Sequence, residues 1–292
     1  VGKNDTTYTS NAQIDGMSIL KLDTSFPLSK STIIQKETLT PKISFRINPG
    51  NNMNDYSEST SAITVNNVFD INRLGLSDFE SGKSLTFGLD YKIDPIEKSQ
   101  LENQKDRYLE FKLATVIRDQ NETDIPQSST INRKNSNLFG SISNNLLDNI
   151  KLTYDFSLDN DMKTINSNSI NTEISINNFV TSFNFIEQRN EIGSTHILSN
   201  TTEYKVNDNR SLKFSTRRNK EINLTEYYDL SYEYKNDCLT AALRFNKTFY
   251  EDNDLVPTED LFFSITLIPL TTYEREIYKK TPGKNVLKGL FN

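Results

Sequence analysis

Residues 84–93 read SLTFGLDYKI, in which polar and apolar side chains alternate at every position. A period of two is that of a β-strand with one apolar and one polar face. The same alternation recurs in residues 150–158 (IKLTYDFSL) and 228–235 (YDLSYEYK). A soluble sandwich would also show this alternation, but the full charges on the polar faces suggest that the two faces of the predicted sheet meet different solvents. An antiparallel transmembrane β-barrel, with lipid outside and water inside, has this property.

The composition is compatible with such a barrel. The chain has 292 residues, of which 35% are hydrophobic, and it contains no run of 18 or more apolar residues, so a transmembrane helix is excluded. Whole-chain hydropathy misses barrels, because only about half of their strand residues face lipid. The 13 Tyr and 17 Phe suit the aromatic girdles of a barrel, although aromatic residues favour any β-strand.

Several function classes are excluded. The net charge of -6 and the lack of a basic patch interleaved with aromatic residues argue against nucleic-acid binding. One cysteine, Cys238, and one histidine, His196, cannot form a metal cluster or a Cys/His pair. No nucleophile elbow and no phosphate-binding glycine loop is present, and paired carboxylates such as Glu226 with Asp229 are interpreted as solvated charges. We therefore predict no enzyme, no metal and no cofactor.

The strand rhythm predicts about 13 strands joined by alternating long and short connections. The strands lie near residues 14–26, 33–47, 84–93, 108–118, 137–144, 148–158, 164–176, 179–187, 195–206, 210–219, 224–235, 238–250 and 261–270. The longer connections are 48–83, 119–136, 188–194 and 251–260, and the short turns include 27–30, 177–178, 207–209 and 236–237. Outer-membrane barrels have short periplasmic turns and longer extracellular loops. The charged stretch 94–107 is an exception on the short-turn side.

Side-chain parity assigns the two faces. The final strand directs Phe263, Ile265 and Leu267 to lipid. Lys247 falls on an apolar face, where it must snorkel or cost roughly 2–4 kcal/mol at the bilayer midplane. The predicted lumen-facing residues include Arg118, Lys151, Glu233 and Arg244.

The two ends of the chain carry separate expectations. The chain begins at Val1, without an initiator Met or a signal peptide, and is interpreted as the C-terminal part of a longer protein. The alternation stops at Leu270, and residues 271–292 are basic and contain Pro282-Gly283. We predict that this tail lies outside the barrel, on the periplasmic side.

One loop carries a recognisable motif, because residues 67–82 read NVFDINRLGLSDFESG. This loop resembles the segment N-L-F-x-x-N-R-F-S-G-x-D-R-x-E-G-G of the lipopolysaccharide-assembly barrel family LptD, also called OstA or Imp. The matching residues are Asn67, Phe69, Asn72, Arg73, Asp78 and Gly82. The departures are Val68 for Leu, Leu74 for Phe, Gly75 and Glu80 each one place early, and no Arg after Asp78. Arg73 is expected to pair with a carboxylate, with Asp70 or Asp78 nearest in sequence, and to hold 48–83 as an ordered extracellular loop.

The resemblance extends over roughly residues 15–270. The strand 85–91 is similar to the family's G-L-x-Y segment, and the end of the chain is similar to its last hairpin. That hairpin has a Tyr-rich strand, a turn with Asp237-Cys238, a strand with Arg244, an acidic loop at 251–254 and an aromatic final strand.

The resemblance implies a fold and a set of partners. Residues 1–270 would be the C-terminal half of a barrel of roughly two dozen strands. Half a barrel leaves two unpaired edges, so the fragment should not be stable alone in lipid. The implied partners are lipopolysaccharide, outer-membrane lipid, a plug lipoprotein like LptE, periplasmic lipopolysaccharide-bridge proteins and the barrel-assembly machinery. Cys238 would form a disulfide with the N-terminal domain in the oxidising periplasm, unless it is an inert thiol.

The implied function is transport of lipopolysaccharide into the outer leaflet of the Gram-negative outer membrane, without catalysis. The head group would cross the lumen, and the acyl chains would leave through a seam between the first and last strands. The strand with Phe263, Ile265 and Leu267 would form one side of that seam. The alternative is a porin or another substrate-specific transport barrel. A soluble or surface β-protein such as an adhesin would show charges on both faces, which residues 84–93 and 148–158 do not.

Overall fold

The chain folds almost entirely as β-strands. A computed structural model describes residues 18–49, 62–75, 80–96, 107–123, 125–249, 257–268, 271–281 and 284–286. The strands are β1 (Leu20–Ser25), β2 (Leu28–Ser31), β3 (Gln35–Asn48), β4 (Gly82–Pro95), β5 (Leu109–Arg118), β6 (Leu138–Leu147), β7 (Ile150–Leu158), β8 (Ile165–Ile176), β9 (Phe179–Gln188), β10 (Thr195–Asn207), β11 (Arg210–Asn219), β12 (Leu224–Lys235), β13 (Leu239–Thr248), β14 (Glu259–Leu267), β15 (Thr271–Thr281) and β16 (Lys284–Val286). Two single-turn 3-10 helices, Gln127–Ser129 and Asn190–Ile192, lie in connections. None of the described residues forms a helix long and apolar enough to cross a membrane.

All described strands belong to one antiparallel sheet in which neighbours in sequence are neighbours in space. The exception is at the start, where β1 and β2 both pair with β3. The described strands form an open sheet, with β1 and β2 along one edge and β15 and β16 at the other. The prediction of an all-β antiparallel barrel region is confirmed by this arrangement.

The two faces of the sheet are the reverse of those in a soluble protein. Large apolar side chains are exposed on β3 to β5, including Ile43, Phe87 and Ile117, which are 45%, 37% and 42% exposed. Most buried side chains on the opposite face of the same strands are polar, namely Ser44, Arg46, Ser84, Thr86 and Arg118, and the apolar Ala114 and Val116 of β5 are buried beside them. We call the polar side the inner face and the apolar side the outer face. Exposed large apolar side chains in rows suit a surface that contacts lipid.

The connections alternate in length, as the sequence predicts. Because the strands are antiparallel, every second connection lies at the same end of the sheet. The long connections 49–81 and 119–137 share one end with 159–164, 189–194 and 249–258. The two-residue turns at 148–149, 177–178 and 208–209 lie at the other end, together with the longer exception at 96–108. We call these the long-loop end and the short-turn end.

The first predicted turn is misplaced. Residues 27–30 were expected to turn the chain, but Leu28–Ser31 continues as β2 beside the same strand, β3. The reversal comes at Thr32, whose N–H donates to the carbonyl of Gln35. Pro27 lacks an N–H group, so it interrupts the ladder without reversing it.

The prediction that the tail lies outside the sheet is wrong for residues 271–281. These residues form β15, which pairs with β14 from Leu267↔Thr271 to Glu259↔Lys280. The short β16 then pairs with the end of β15. An edge strand offers a row of free backbone N–H and C=O groups, and these can pair with a neighbour whose side chains show no alternation. Residues 282–283 and 287–292 lie outside the described residues.

Candidate functional site

The two longest loops fold back onto the inner face of the sheet. Residues 62–75 and the described part of 119–137, which we call the inner cap, pack against β5 and β6 around a small apolar core. Three core residues, Ala114, Val116 and Phe139, come from the strands. The full core is Ile63, Val65, Val68, Leu74, Ala114, Val116, Ile125, Ile131 and Phe139, each less than 9% exposed. A core built on the polar face of the sheet therefore attaches the loops to the strands.

A buried carboxylate lies at the centre of the contact between cap and sheet. The side chain of Glu80 is 1% exposed and is surrounded by three arginines. Its Oε2 accepts a hydrogen bond of 2.7 Å from Nε of Arg73. Its Oε1 lies 3.1 Å from Nη2 of Arg118 and 3.3 Å from Nη1 of Arg46, and it accepts a hydrogen bond from Ser84. One anion therefore joins a loop arginine to arginines of β3 and β5.

Arg73 also binds the strand directly. Its guanidinium donates to the carbonyl of Val68 at 2.9 Å, to Oγ1 of Thr86 at 3.0 Å and to Oγ of Ser84 at 3.1 Å. The prediction that Arg73 pairs with a carboxylate is confirmed, but the partner Asp70 is wrong, because the guanidinium binds Glu80, seven residues further along the chain.

Neither of the two predicted aspartate partners is seen to pair with Arg73. Asp70 binds Arg46 through its backbone carbonyl, which accepts a hydrogen bond from the guanidinium, and its N–H donates to the carbonyl of Asn67. Asp78 lies outside the described residues.

Arg118 joins the two loops, 49–81 and 119–137, from which the inner cap is formed. It lies on the inner face, where it was predicted, but it is buried rather than exposed to a lumen. Its guanidinium donates to the carbonyls of Ser81 and Ile131, which belong to different loops. Burial alone would raise the pKa of Glu80, but the charges of Arg73 and Arg118 outweigh this effect and lower the pKa to about 2.

Two asparagines of the loop motif fold the cap locally. Oδ1 of Asn67 accepts a hydrogen bond from the N–H of Thr64, and its Nδ2 donates to the carbonyl of Ala62, both at 2.8 Å. The carbonyl of Asn72 accepts the N–H of Gly75 at 3.0 Å. These bonds close tight turns that place the flanking side chains toward the sheet.

The motif phenylalanine explains a glycine in the strand beneath it. A Cβ added to Gly88 would lie 2.6 Å from Cζ of Phe69, so the ring occupies the space of the missing side chain. The ammonium of Lys42 lies 5.8 Å from the centre of the same ring. Gly82, the last motif residue, has a φ of +79°, and a Cβ added to it would lie 2.2 Å from Oε1 of Glu122. The described motif residues therefore share one role, which is to seat the loop.

A family model named LPS transport system D, LptD, matches residues 2–210. The chain belongs to the LptD family. This family transports lipopolysaccharide (LPS) to the outer membrane, and its members are transport and assembly proteins rather than enzymes. A comparison with curated proteins found no match.

Three other predicted inner-face residues of this LptD chain lie away from the cap. Lys151 on β7 pairs with Glu173 of β8 at 3.2 Å, and both side chains are largely exposed. Glu233 on β12 and Arg244 on β13 are exposed and lie opposite Ser211 and Ser231 of their neighbouring strands. The structure does not bring these three residues together.

The predicted seam strand is not an edge in the described sheet. Phe263, Ile265 and Leu267 lie on β14, which pairs with β13 on one side and β15 on the other. Cys238 is an exposed free thiol after β12, at the short-turn end. Its N–H donates to Oδ1 of Asn236, which shapes the turn.

Proposed function

We propose that this LptD chain is part of an outer-membrane barrel of a Gram-negative bacterium that passes LPS through its lumen and releases it sideways into the outer leaflet. No chemical step is involved. The observation that carries the proposal is the inner cap, which is packed on the polar face of the sheet at the long-loop end.

The inner face supports passage of a hydrated, charged head group. Oppositely charged side chains pair across neighbouring strands, as Lys42 does with Asp90 and Lys151 does with Glu173. Because these partly exposed charges neutralise each other, the inner face would bind a charged head group only weakly and would release it readily. The apolar outer face suits contact with the acyl chains of the bilayer.

The inner cap argues for a lateral exit. In a closed barrel, loops held on the inner face would occupy the long-loop end of the lumen, which by loop length is the extracellular end. Their apolar core and the Arg73–Glu80 pair keep them there. A bulky glycolipid would then meet an obstructed axial path, and a seam between strands would remain for its release.

We place the proposed seam at β15 rather than at β14, because β15 is the long strand at the open edge of the described sheet. Its partner would be the first strand of the complete barrel. A lateral opening needs a strand pair whose ladder can separate, and the mixed charges of β15, such as Glu274 and Arg275, favour a hydrated edge over tight burial in lipid.

The proposed partners follow from the family. A plug lipoprotein like LptE would lie in the lumen, periplasmic bridge proteins would deliver LPS, and the barrel-assembly machinery would insert the barrel. Cys238 lies at the short-turn end, which faces the periplasm in this orientation, so its exposed thiol could meet the N-terminal domain there.

A disulfide tether tests the lateral exit. Thr272→Cys on β15, combined with a cysteine in the first strand of the full-length protein, should block surface delivery of LPS while leaving the barrel assembled. Reductant should restore delivery, and Thr272→Cys without its partner should deliver normally. Full delivery with a completely formed tether would remove the lateral mechanism. If the tethered barrel also conducted small solutes, the porin alternative would gain support.

A further inference from the structure

We propose that Arg218 and Lys220 form a contact site on the outer wall for phosphate groups of glycolipids in the outer leaflet. Arg218 lies at the long-loop end of β11, opposite Leu198 of β10. Its parity is that of Leu212 and Phe214, so it shares the outer face with them. Lys220 follows two residues later, and its N–H donates to the carbonyl of His196. The site rests on the orientation of the proposed function, with the long-loop end outside.

Neither cation has a carboxylate partner in the part of the chain that the structure describes. The guanidinium of Arg218 donates to the amide oxygen of Asn223 at 2.5 Å. The ammonium of Lys220 lies 5.8 Å from the centre of the Phe185 ring, which keeps it on the outer face. Both residues are exposed, so their positive charges can interact with a ligand that contacts the outer face.

Other cations at the same end differ, because they are already paired. Lys247 forms an ion pair with Glu259, and Arg189 pairs with Glu187. Because each of these ion pairs is electrically neutral, it attracts an anion only weakly. Glu221 is the carboxylate nearest in sequence to Lys220, and it lines a pocket with His196 and Glu187, so it lowers the positive potential of this turn without forming an ion pair with the lysine.

The position of the two cations relative to the apolar band of the outer face indicates which ligand they bind. Apolar side chains lie below them on the outer face, including Leu212 at 39% and Leu230 at 42% exposed. The rings of Phe214 and Tyr228 stack with centroids 6.1 Å apart. Cations just beyond an apolar band with aromatic residues lie at the depth of lipid head groups. Arginine and lysine both bind phosphate oxygens, and a glycolipid phosphate would supply the missing negative charge.

Native mass spectrometry of the full-length protein can test the site. The probe is lipid A carrying its phosphates, compared with enzymatically dephosphorylated lipid A. Removing a surface cation should weaken retention of the phosphorylated lipid by roughly fivefold, so Arg218→Gln with Lys220→Gln should lose more than either change alone. Arg210→Gln is the matched control, since Arg210 lies on the same strand and face but at the short-turn end.

The outcomes separate the site from a general charge effect. Equal retention by the double variant, an equal loss in Arg210→Gln, or no preference for the phosphorylated lipid would each overturn the proposal. Glu221→Gln should tighten retention, and weaker retention would count against the site. Surface delivery of LPS is scored separately, so failed delivery with intact lipid A retention would count against the proposed function alone.

Discussion

The ring of Phe69 lies against Gly88 on the inner face of β4, where a Cβ atom would stand only 2.6 Å from the ring. A loop residue and a strand residue 19 positions apart therefore fit as one unit. The family motif contributes the ring, and the following G-L-x-Y segment contributes the space for it. This relationship explains why the motif and the glycine belong together.

Gly88→Ala should loosen the inner cap, because the new methyl group forces Phe69 from its seat. The expected cost is about 1–3 kcal/mol, typical of overpacking. Hydrogen–deuterium exchange of residues 62–75 in the purified full-length protein would measure it. Phe69→Ala in the same chain should remove the clash, so the double variant should lose less than the two single effects summed.

Gly140→Ala is the matched control for this change. A Cβ at Gly140 would clash with the ring of Phe156, 2.1 Å away, and thus disturb the wall without involving the cap. Faster exchange of residues 62–75 in Gly140→Ala than in Gly88→Ala would contradict the proposed seat.

Glu80→Gln should release the cap more strongly. The change leaves Arg46, Arg73 and Arg118 buried without their shared anion, and breaking a buried ion pair costs about 3–5 kcal/mol. Protease cleavage within the loop should rise sharply. Glu110→Gln is the control, because its pair with Lys112 is partly exposed and should contribute at most about 1 kcal/mol. Similar cleavage in the two variants would show that Glu80 is not central.

Acid should have the same effect as Glu80→Gln. The pKa of Glu80 is lowered from 4.5 to about 2, so its stabilisation is complete above pH 4.5 and is lost as the pH falls toward 2. The full loss is about 3 kcal/mol. Exchange of residues 62–75, corrected for the intrinsic rate, should rise over this range in the parent but not in Glu80→Gln. A flat profile in the parent would refute the assignment.

Asn67→Ala should weaken the local turn of the cap. The substitution removes the bonds to the N–H of Thr64 and the carbonyl of Ala62, and the expected cost is about 1–2 kcal/mol. Asn66→Ala is the natural comparison, because Asn66 is exposed and adjacent. The measurement is again exchange of residues 62–75, and equal effects of the two changes would argue against a specific turn.

Two arginines of the inner face should respond differently to the same change. Arg118→Gln should open the cap, because Arg118 contacts both loops and Glu80. Arg244→Gln should alter LPS passage only modestly, since its side chain is exposed and a wide hydrated lumen screens single charges. Antibiotic permeability reports cap opening and surface LPS reports passage. A large transport defect in Arg244→Gln with a closed cap would overturn this division.

Much of the wall could be predicted from side-chain alternation. The strands from β3 to β14 and the faces of residues 84–93 follow from a period of two, because one face meets apolar and the other polar surroundings. β15 could not be predicted this way, since its pairing depends on backbone groups of a free edge and its residues show no regular alternation. The turn predicted at Pro27 was wrong for a related reason. A proline lacks the backbone N–H donor, and its absence can interrupt the hydrogen-bond ladder of a strand without ending the strand pairing.

The site was only half visible in the sequence. The motif identified the loop and Arg73, but nearness in sequence favoured Asp70 over Glu80. Arg73 binds the carboxylate seven residues after it rather than the one three residues before it, and only the fold shows this. The signal that could have found Glu80 is the family motif itself, whose Glu stands one place later.

The core of the inner cap also has a consequence for how the wall is built. Val116 and Phe139 bury apolar surface together with the loops, on the inner face of the strands. The hairpins from β3 to β6 therefore carry their own water-excluding centre, whereas β7 to β14 have no comparable cluster among the described residues. The hairpins from β3 to β6 can therefore be stabilised by hydrophobic burial in water, before any bilayer is present. During insertion we expect this segment to form first, and the remaining hairpins to pair with it one after another.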